Sequence, residues 1–343
     1  MKTAVYYNNK DIRIEERPVP KIGEGEILIR NYAAGICGSD VAEWYRLGKM
    51  GRVLGHEIAG EIVAVGSGVQ HLKEGMRVSA SHHVPCYQCH YCRMGNHTLC
   101  DTLRTTNFDP GGFAEWIRLP ALNVCYGVYP LGEDVSYEEG TFVEPLACTL
   151  RAQRKAGLRS EQTLLVIGSG IAGLLHIHLA QLYGVHRIIA ADVQEYRLAA
   201  AKKFGADFAF ASIDPNFLEQ IKEANGGRLA DVVIVCAGKK AAAEQALKCV
   251  ERGGTVLFFA LNSPDQEIGL SLHEVFWQKG ATLMNSYAAS PKDHRESMAI
   301  IRGGKLRLSE MISHRLGFDE IGKGFELVAQ AQNSLKVLID LKR

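Results

Sequence analysis

One segment constrains the second half of the chain more than any other. TLLVIGSGIAGLL contains an apolar run, then Gly168, Gly170 and Gly173 in GxGxxG spacing, then a stretch with helical periodicity. Further apolar runs follow at RIIAAD, ADFAFA, DVVIVCAG, TVLFFA and ATLMNSY, and the helical segments between them end in glycine. Six strands joined by helical crossovers predict an α/β fold with a parallel, doubly wound sheet.

The glycine segment also predicts a dinucleotide site. The first glycine permits a tight turn, the second lets the backbone approach a pyrophosphate, and the third allows a helix to pack closely on a strand. Asp192, at the end of the next strand, is placed to accept hydrogen bonds from both ribose hydroxyls and to repel a 2′-phosphate, which favours NAD over NADP. The predicted cofactor contacts are Gly168, Gly170, Ile171, Ala172, Gly173, Asp192 and Arg197.

The first third of the chain has a different pattern. EILIRNYAAGICG, VLGHEIAGEIVAVGSG and GMRVSASHHVPC are short apolar runs with strand-like alternation, bounded by turn residues, and they predict a mainly β region. Near the C-terminus KVLID is a predicted strand that can return to this region. Because 343 residues exceed the size at which a single core stops growing, we expect two domains.

Charge and cysteine usage narrow the functional classes. With 39 Lys and Arg against 38 Asp and Glu, the net charge of +1 offers no electrostatic footprint for nucleic acid or an anionic membrane. The N-terminus MKTAVYYNNKDIRIEE carries charges where a signal peptide needs an apolar core, so we expect a cytoplasmic protein with a small-molecule ligand and no membrane partner. Nine cysteines in that reducing compartment favour metal ligation by a clustered subset over disulfides.

The segment CYQCHYCRMGNHTLC holds that subset, Cys86, Cys89, Cys92 and Cys100. Four thiolates at this spacing can close a tetrahedral shell around zinc. A closed four-sulfur shell is structural as a rule, because catalytic zinc keeps one position open. We therefore expect a structural zinc in a lobe at about residues 84–102, the alternative being free thiols or adventitious metal.

A second candidate set is dispersed along the chain. One thiolate, one imidazole and one or two carboxylates match an open zinc site that can hold a water or an alcohol oxygen. On spacing alone these residues are equally compatible with structural roles. The set comprises Cys37, Ser39 and Asp40 in GICGSD, His56 and Glu57 in GHE, and Glu144 in EPLAC.

GICGSD, GHEIAGEIVAVGSGV, the four-cysteine segment, GGFAEW, EPLAC and GSGIAG occur in the order seen in zinc-dependent medium-chain alcohol and polyol dehydrogenases, and the chain resembles them over essentially its full length. The resemblance implies a GroES-like, mainly β catalytic domain at residues 1–151 and 289–343, and a Rossmann NAD-binding domain at residues 152–288. It implies two zinc ions per chain, one catalytic and one structural. It also implies a homo-oligomer, tetramer or dimer.

The resemblance assigns roles in the catalytic site. Cys37 and His56 match zinc ligands, and the third ligand is left open between Glu57 and Glu144. A glutamate at position 144 is typical of the branch that contains sorbitol and threonine dehydrogenases. Asp40 matches the carboxylate that orients the His56 imidazole, which metal-bound histidines usually require.

The same resemblance describes the reaction. It implies oxidation of a secondary alcohol to a ketone with hydride transfer to NAD, on a polyol or a related small molecule. Ser39 matches the hydroxyl that receives the substrate proton. Many relatives carry a histidine five residues after the first cysteine to pass that proton on, whereas this chain has Ala42. The proton then leaves through a ribose hydroxyl, Glu43 or water, and the sequence does not choose among them.

Alternative functions remain open at this point. L-threonine 3-dehydrogenase and a sugar-alcohol-phosphate dehydrogenase share the chemistry, and a non-catalytic NAD- and zinc-binding protein shares the ligands. Arg46, Lys49 and Arg52 in WYRLGKMGRV are candidates to bind a substrate phosphate or carboxylate. Their alternative interpretation is a solvated surface loop.

Overall fold

The computed structural model describes residues 1–342, and the chain divides into two compact units. The first unit comprises Met1–Ala147 and the segment from Ala288 onward, and the second comprises Cys148–Tyr287. Within residues 1–342, no helix combines the length and apolar character needed to cross a bilayer.

The N-terminal part of the first unit is mainly β, as its alternating apolar runs predict. Its strands are β1 (Lys2–Asn8), β2 (Asp11–Glu16), β3 (Ile27–Ile36), β4 (Arg52–Val53), β5 (Glu57–Val65), β6 (Arg77–Ala80), β7 (Trp116–Leu119) and β8 (Val128–Pro130). Its helices are short and comprise α1 (Glu43–Arg46), α2 (His90–Arg93), α3 (Asp101–Thr105), α4 (Ala121–Tyr126) and α5 (Tyr137–Gly140), with 3₁₀ turns at Leu47–Lys49 and His97–Leu99. Helix α6 (Val143–Ala156) follows and includes the division between the units.

The second unit alternates strands and helices. Its elements are β9 (Thr163–Ile167), α7 (Ile171–Leu182), β10 (Arg187–Asp192), α8 (Glu195–Lys203), β11 (Phe208–Ala211), α9 (Phe217–Ala224), β12 (Ala230–Val235), α10 (Lys240–Cys249), β13 (Val250–Phe258), a π-helix at His273–Gln278 and β14 (Thr282–Asn285). All neighbouring strands are parallel, in the order β11-β10-β9-β12-β13-β14. This is the doubly wound order of dinucleotide-binding sheets, so the predicted parallel sheet is confirmed.

The C-terminal part returns to the first unit. Its elements are α11 (Pro291–Arg302), β15 (Ile312–Gly317), α12 (Ile321–Gln330) and β16 (Lys336–Asp340), with 3₁₀ turns at Leu308–Met311 and Phe318–Glu320. The strand predicted in KVLID is β16, which pairs antiparallel with β3 and parallel with β15. The larger sheet therefore runs β15-β16-β3-β5-β6-β8, with β7 also paired to β3, and β2-β1-β4 form a separate sheet.

Each unit has its own apolar core. In the first, Phe325 of α12 packs against Tyr6 and Phe113, with ring centroids 6.0 and 5.6 Å away. In the second, the five residues of β9 are all buried, as expected for a central parallel strand covered by helices on both faces. Both predicted zinc sites lie in the first unit, and the predicted dinucleotide site lies in the second.

Candidate active site

The predicted open zinc site lies where β3 ends and β5 begins. Antiparallel pairing places Gly35 opposite Glu57, so Cys37, just past the end of β3, comes close to His56 at the entrance to β5. Ligand atoms of Cys37, His56 and Glu57 all lie within 4.8 Å of one another. The structure therefore brings together three residues that the sequence separates into GICGSD and GHE.

Asp40 is the fully buried carboxylate behind this group. Its Oδ2 accepts a hydrogen bond from the Cys37 amide at 3.1 Å, and its Oδ1 lies 3.4 Å from Nδ1 of His56. Burial works against its ionisation, but His56 and Arg46 outweigh it and leave the pKa of Asp40 below its usual value. Burial likewise opposes charge on His56, yet Asp40 and the Cys37 thiol raise the pKa of its imidazole well above the ordinary range. A cation at the second ring nitrogen of His56 fits this environment, because Asp40 and Cys37 both favour positive charge on the ring.

Arg46 belongs to this site, which its position in WYRLGKMGRV did not indicate. It is 8% exposed, and its Nε donates to the Ser39 carbonyl at 2.7 Å. Its Nη2 donates to Ser39 Oγ at 3.0 Å and to Asp40 Oδ1 at 3.3 Å. Arg46 is therefore neither part of a solvated loop nor available to bind a substrate anion.

Glu57 is paired with a lysine from the far end of the chain. Lys336 Nζ on β16 hydrogen-bonds Glu57 Oε2, and the two residues are 1% and 2% exposed. Residue 336 lies beside Glu57 because β16 and β5 flank β3. Glu144, in the first turn of α6, is 9% exposed and lies outside the Cys37–His56–Glu57 group as residues 1–342 define it.

Two histidines without a predicted role, His82 and His83, adjoin the group of Cys37, His56 and Glu57. The ring of His82 lies 4.9 Å from that of His56 and 3.7 Å from that of His83. Burial, and the neighbouring imidazole of His83, lower the pKa of His82 well below its ordinary value. Burial also lowers the pKa of His83 to about 4, so both rings are neutral at pH 7. They follow β6 directly in ASHHVPC, and only its pairing with β5 shows that they reach His56.

The four cysteines of the lobe converge as their spacing predicts. The sulfur atoms of Cys86, Cys89, Cys92 and Cys100 lie within 4.8 Å of one another, and all four are free thiols. Amides of Gln88 and Cys89 donate to Cys86 Sγ at 3.4 Å each, and these bonds lower the pKa of the Cys86 thiol to about 6. Four convergent sulfurs with amide donors fit a thiolate-bound zinc.

The glycine turn of the second unit has the geometry that a dinucleotide needs. Gly168 has φ +96°, and a Cβ there would lie 2.9 Å from the Ala237 amide nitrogen. A Cβ on Gly173 would lie 2.0 Å from the Gly168 carbonyl oxygen, so α7 packs on β9 as closely as a glycine allows. The nearest atoms to the Cβ position of Gly170 belong to the Arg197 guanidinium, at 3.7 Å. Ile171 and Ala172 open α7, whose free amides follow this turn.

Asp192 lies where the sequence predicts, at the carboxyl end of β10 beside the turn. Its Oδ2 accepts from the Ser169 amide at 2.7 Å, and its Oδ1 accepts from the Gln194 amide at 3.0 Å. Arg197 Nη1 lies 3.7 Å from Oδ2. Each carboxylate oxygen keeps a second lone pair for a ribose hydroxyl.

Comparison with known proteins places the chain in a family. The model of the alcohol dehydrogenase GroES-like domain matches residues 23–130, and that of the zinc-binding dehydrogenase domain matches residues 172–302. The chain belongs to the zinc-dependent medium-chain alcohol dehydrogenases. Sorbitol dehydrogenase of Bacillus subtilis is 36% identical over 275 residues, which cover 78% of this chain and 76% of that protein.

Two further relatives cover nearly the whole dehydrogenase. L-threonine 3-dehydrogenase of Bacillus velezensis is 31% identical over 334 residues, 95% of this chain and 94% of that one. The crystal structure of an alcohol dehydrogenase, rspB, from Escherichia coli CFT073 with its cofactor NADH superposes with a TM-score of 0.89 at 25% identity and covers 99% of both chains. The GroES-like and Rossmann folds implied by the resemblance are therefore confirmed, and the chain is an oxidoreductase with zinc and NAD as cofactors.

The donor sets of the dehydrogenase fit two zinc ions of different kinds. Four thiolates in the lobe form a closed shell with no position left for a substrate. Cys37, His56 and Glu57 offer one sulfur, one nitrogen and one oxygen, which leaves a tetrahedral ion one open position. Asp40 behind His56 supplies the outer hydrogen bond that metal-ligating histidines need.

Proposed function

We propose that the protein oxidises a secondary alcohol of a polyol or related small molecule to a ketone, with NAD as the hydride acceptor. The observation that carries this proposal is the convergence of Cys37, His56 and Glu57, backed by Asp40, with the Ser39 amide donating to Cys37 Sγ at 3.5 Å. In this proposal Cys37 and His56 hold the catalytic zinc, and the carboxylate ligand is Glu57 or Glu144. The similarity to sorbitol dehydrogenase supports the polyol substrate.

Different residues of the chain have different roles in the proposed reaction. Bound zinc supplies a Lewis acid that lowers the pKa of the substrate hydroxyl. Ser39 Oγ accepts the proton of that hydroxyl and passes its own to a ribose hydroxyl, Glu43 or water, and Asp40 fixes the orientation of the His56 ring. The Gly168–Gly173 turn and Asp192 would hold the dinucleotide, which would supply the hydride acceptor.

A substrate panel tests this function. The zinc-loaded protein is expected to form NADH with at least one polyol, and Cys37→Ala and His56→Ala are each expected to abolish turnover while NAD affinity stays unchanged. The matched control is Cys125→Ala, which removes an exposed thiol from α4. Absence of NADH with every polyol, amino alcohol and simple alcohol would contradict the proposal and favour a non-catalytic role.

The kcat/KM values for a polyol, its phosphate ester and L-threonine distinguish the alternative substrates. The threonine dehydrogenase relative keeps L-threonine in the panel. Of the three cations considered for a substrate anion, Arg46 is already bound to Ser39 and Asp40. We therefore expect the uncharged polyol to have the highest kcat/KM.

We further propose a cytoplasmic homo-oligomer, dimer or tetramer. None of the nine cysteines, all of which lie within residues 1–342, forms a disulfide in the chain, which suits a reducing compartment. Strand β14 forms an edge of the parallel sheet, and the π-helix before it exposes Trp277 by 83% and Phe276 by 42%, next to Leu272 at 70%. Exposed apolar side chains beside an unpaired strand edge support association with a second copy.

A further inference from the structure

Arg46 is the charged residue whose placement the proposed reaction leaves unexplained. Nearly full burial of a guanidinium is costly unless it is paired and its donors are satisfied. Here the guanidinium donates to the carbonyl and hydroxyl oxygens of Ser39 and to the carboxylate of Asp40. Its guanidinium also lies 4.8 Å from the centre of the Tyr45 ring. The position of the Arg46 side chain is therefore fixed by Ser39 and Asp40 of the site.

These bonds set the hydrogen-bond roles of the Ser39 hydroxyl. A guanidinium is a donor only, so Ser39 Oγ must accept from Arg46. A serine hydroxyl has one proton and two lone pairs, and Arg46 occupies one of the lone pairs. The other lone pair is left to take a substrate proton while the hydroxyl passes its own to the exit route, a ribose hydroxyl, Glu43 or water. Arg46 itself cannot carry that proton onward.

The same guanidinium also holds Asp40 in place. Arg46 Nη2 lies 3.3 Å from Asp40 Oδ1, the same oxygen that lies 3.4 Å from Nδ1 of His56. Arg46 therefore fixes the carboxylate oxygen that faces the His56 ring.

We propose that Arg46 is a positioning residue of the alcohol-oxidising site, which fixes Ser39 as the proton acceptor and Asp40 as the carboxylate that orients His56. The part that concerns Ser39 rests on the proposed function. The part that concerns Asp40 depends only on metal binding, so the two can be tested separately.

Metal affinity gives the first test. Zinc affinity at the Cys37 site of Arg46→Met, measured by chelator competition, is expected to fall about tenfold, the size seen when an outer hydrogen bond to a metal ligand is removed. Zinc at the lobe should be unaffected. Arg52→Met is the control, because Arg52 is an exposed arginine of the same segment. Arg46→Lys, which keeps the charge without the planar fork, should show a smaller loss.

A double-mutant cycle gives the second test. At saturating zinc, Arg46→Met and Ser39→Ala are each expected to slow single-turnover NADH formation, by about 10²-fold for the loss of proton transfer. In the Ser39→Ala background, Arg46→Met should add little, because both variants remove the same step. Circular dichroism of every variant checks that the fold is retained.

Wild-type zinc affinity in both Arg46→Met and Arg46→Lys would overturn the role through Asp40. Additive effects in the double-mutant cycle would overturn the role through Ser39. If the wild-type protein oxidises no alcohol, the proposed function fails, while the zinc measurement still decides the contact with Asp40.

Discussion

At the scale of single residues, the candidate active site contains four buried charged side chains. Asp40, Arg46, Glu57 and Lys336 are all less than a tenth exposed, and each carries a charge that is compensated by a named partner. Buried ion pairs contribute little net stability, but removing one partner leaves the other charge uncompensated. The intact pairs therefore fix the geometry of the site, whereas replacing a single partner is expected to destabilise the fold.

The pair of Glu57 and Lys336 gives a prediction on stability. Lys336→Met should lower the free energy of unfolding of the first unit by about 3 kcal/mol, because Glu57 is left buried without its cation. The midpoint of urea unfolding measures this. Lys323→Met, which removes an exposed lysine 3.7 Å from Glu320, is the control and should change stability little. An unchanged midpoint in Lys336→Met would show that Glu57 does not depend on the pair.

Asp192 gives a prediction on cofactor choice. Asp192→Ser should raise the KM for NAD about tenfold and bring the KM for NADP closer to it, because the variant lacks the carboxylate that we propose binds the ribose hydroxyls and repels a 2′-phosphate. Kinetics with both cofactors measure the ratio. Glu195→Gln removes an exposed charge three residues later and should leave the ratio unchanged. A ratio that stays at the wild-type value in Asp192→Ser would contradict the assignment.

The sequence predicts those residues of the site whose partners are close to them along the chain. Cys37, Asp40, His56 and Glu57 lie next to turns at strand ends, in motifs with recognisable chemistry. Lys336 does not, because its partner is 279 positions away and only the β16–β3–β5 arrangement joins them. The prediction that Arg46 binds a substrate anion was wrong, because the side chain at the end of the short helix α1 donates to Ser39 and Asp40. No periodicity over four residues reveals this contact.

At the scale of elements, the parallel sheet was the most predictable part of the fold. Each of its six strands contains a short apolar run, and the runs of the central strands β9 and β12 are almost wholly buried, as expected where helices cover both faces. Strand β13 also includes the residues ERGG, which carry no strand pattern. The crossover before β14 is a π-helix at His273–Gln278, and its sequence HEVFWQ carries no signal that separates it from an ordinary helical turn. The reach of His82 and His83 to His56 likewise depends on pairing between β5 and β6.

The lobe gives a prediction at this scale. Its buried cluster consists of Cys92, Cys100 and Leu103, too small a core to order the segment without metal. Cys92→Ala and Cys100→Ala should each reduce zinc from two to one per chain and lower the midpoint of thermal unfolding. Elemental analysis and calorimetry measure both effects, with Cys125→Ala as the control. Loss of turnover in a folded variant that keeps zinc at Cys37 would contradict a purely structural lobe.

At the scale of the whole molecule, the exposed edge near β14 predicts self-association. Trp277→Glu should lower the molar mass measured by light scattering towards that of one chain, because it places a charge in the apolar surface beside the strand edge. Ile213→Glu alters a side chain that is 75% exposed elsewhere in the same unit and should not change the molar mass. A monomeric wild-type protein would contradict the proposal.

The central claim is that chemistry depends on zinc at Cys37 and His56 and that the lobe zinc only supports the fold. The most direct measurement follows zinc per chain and polyol-dependent NADH formation together while a chelator removes metal. We predict that activity falls to zero as the content drops from two ions to one, with the lobe still loaded, and returns when zinc is restored. Full activity at one zinc per chain, with the Cys37 site empty, would contradict the claim.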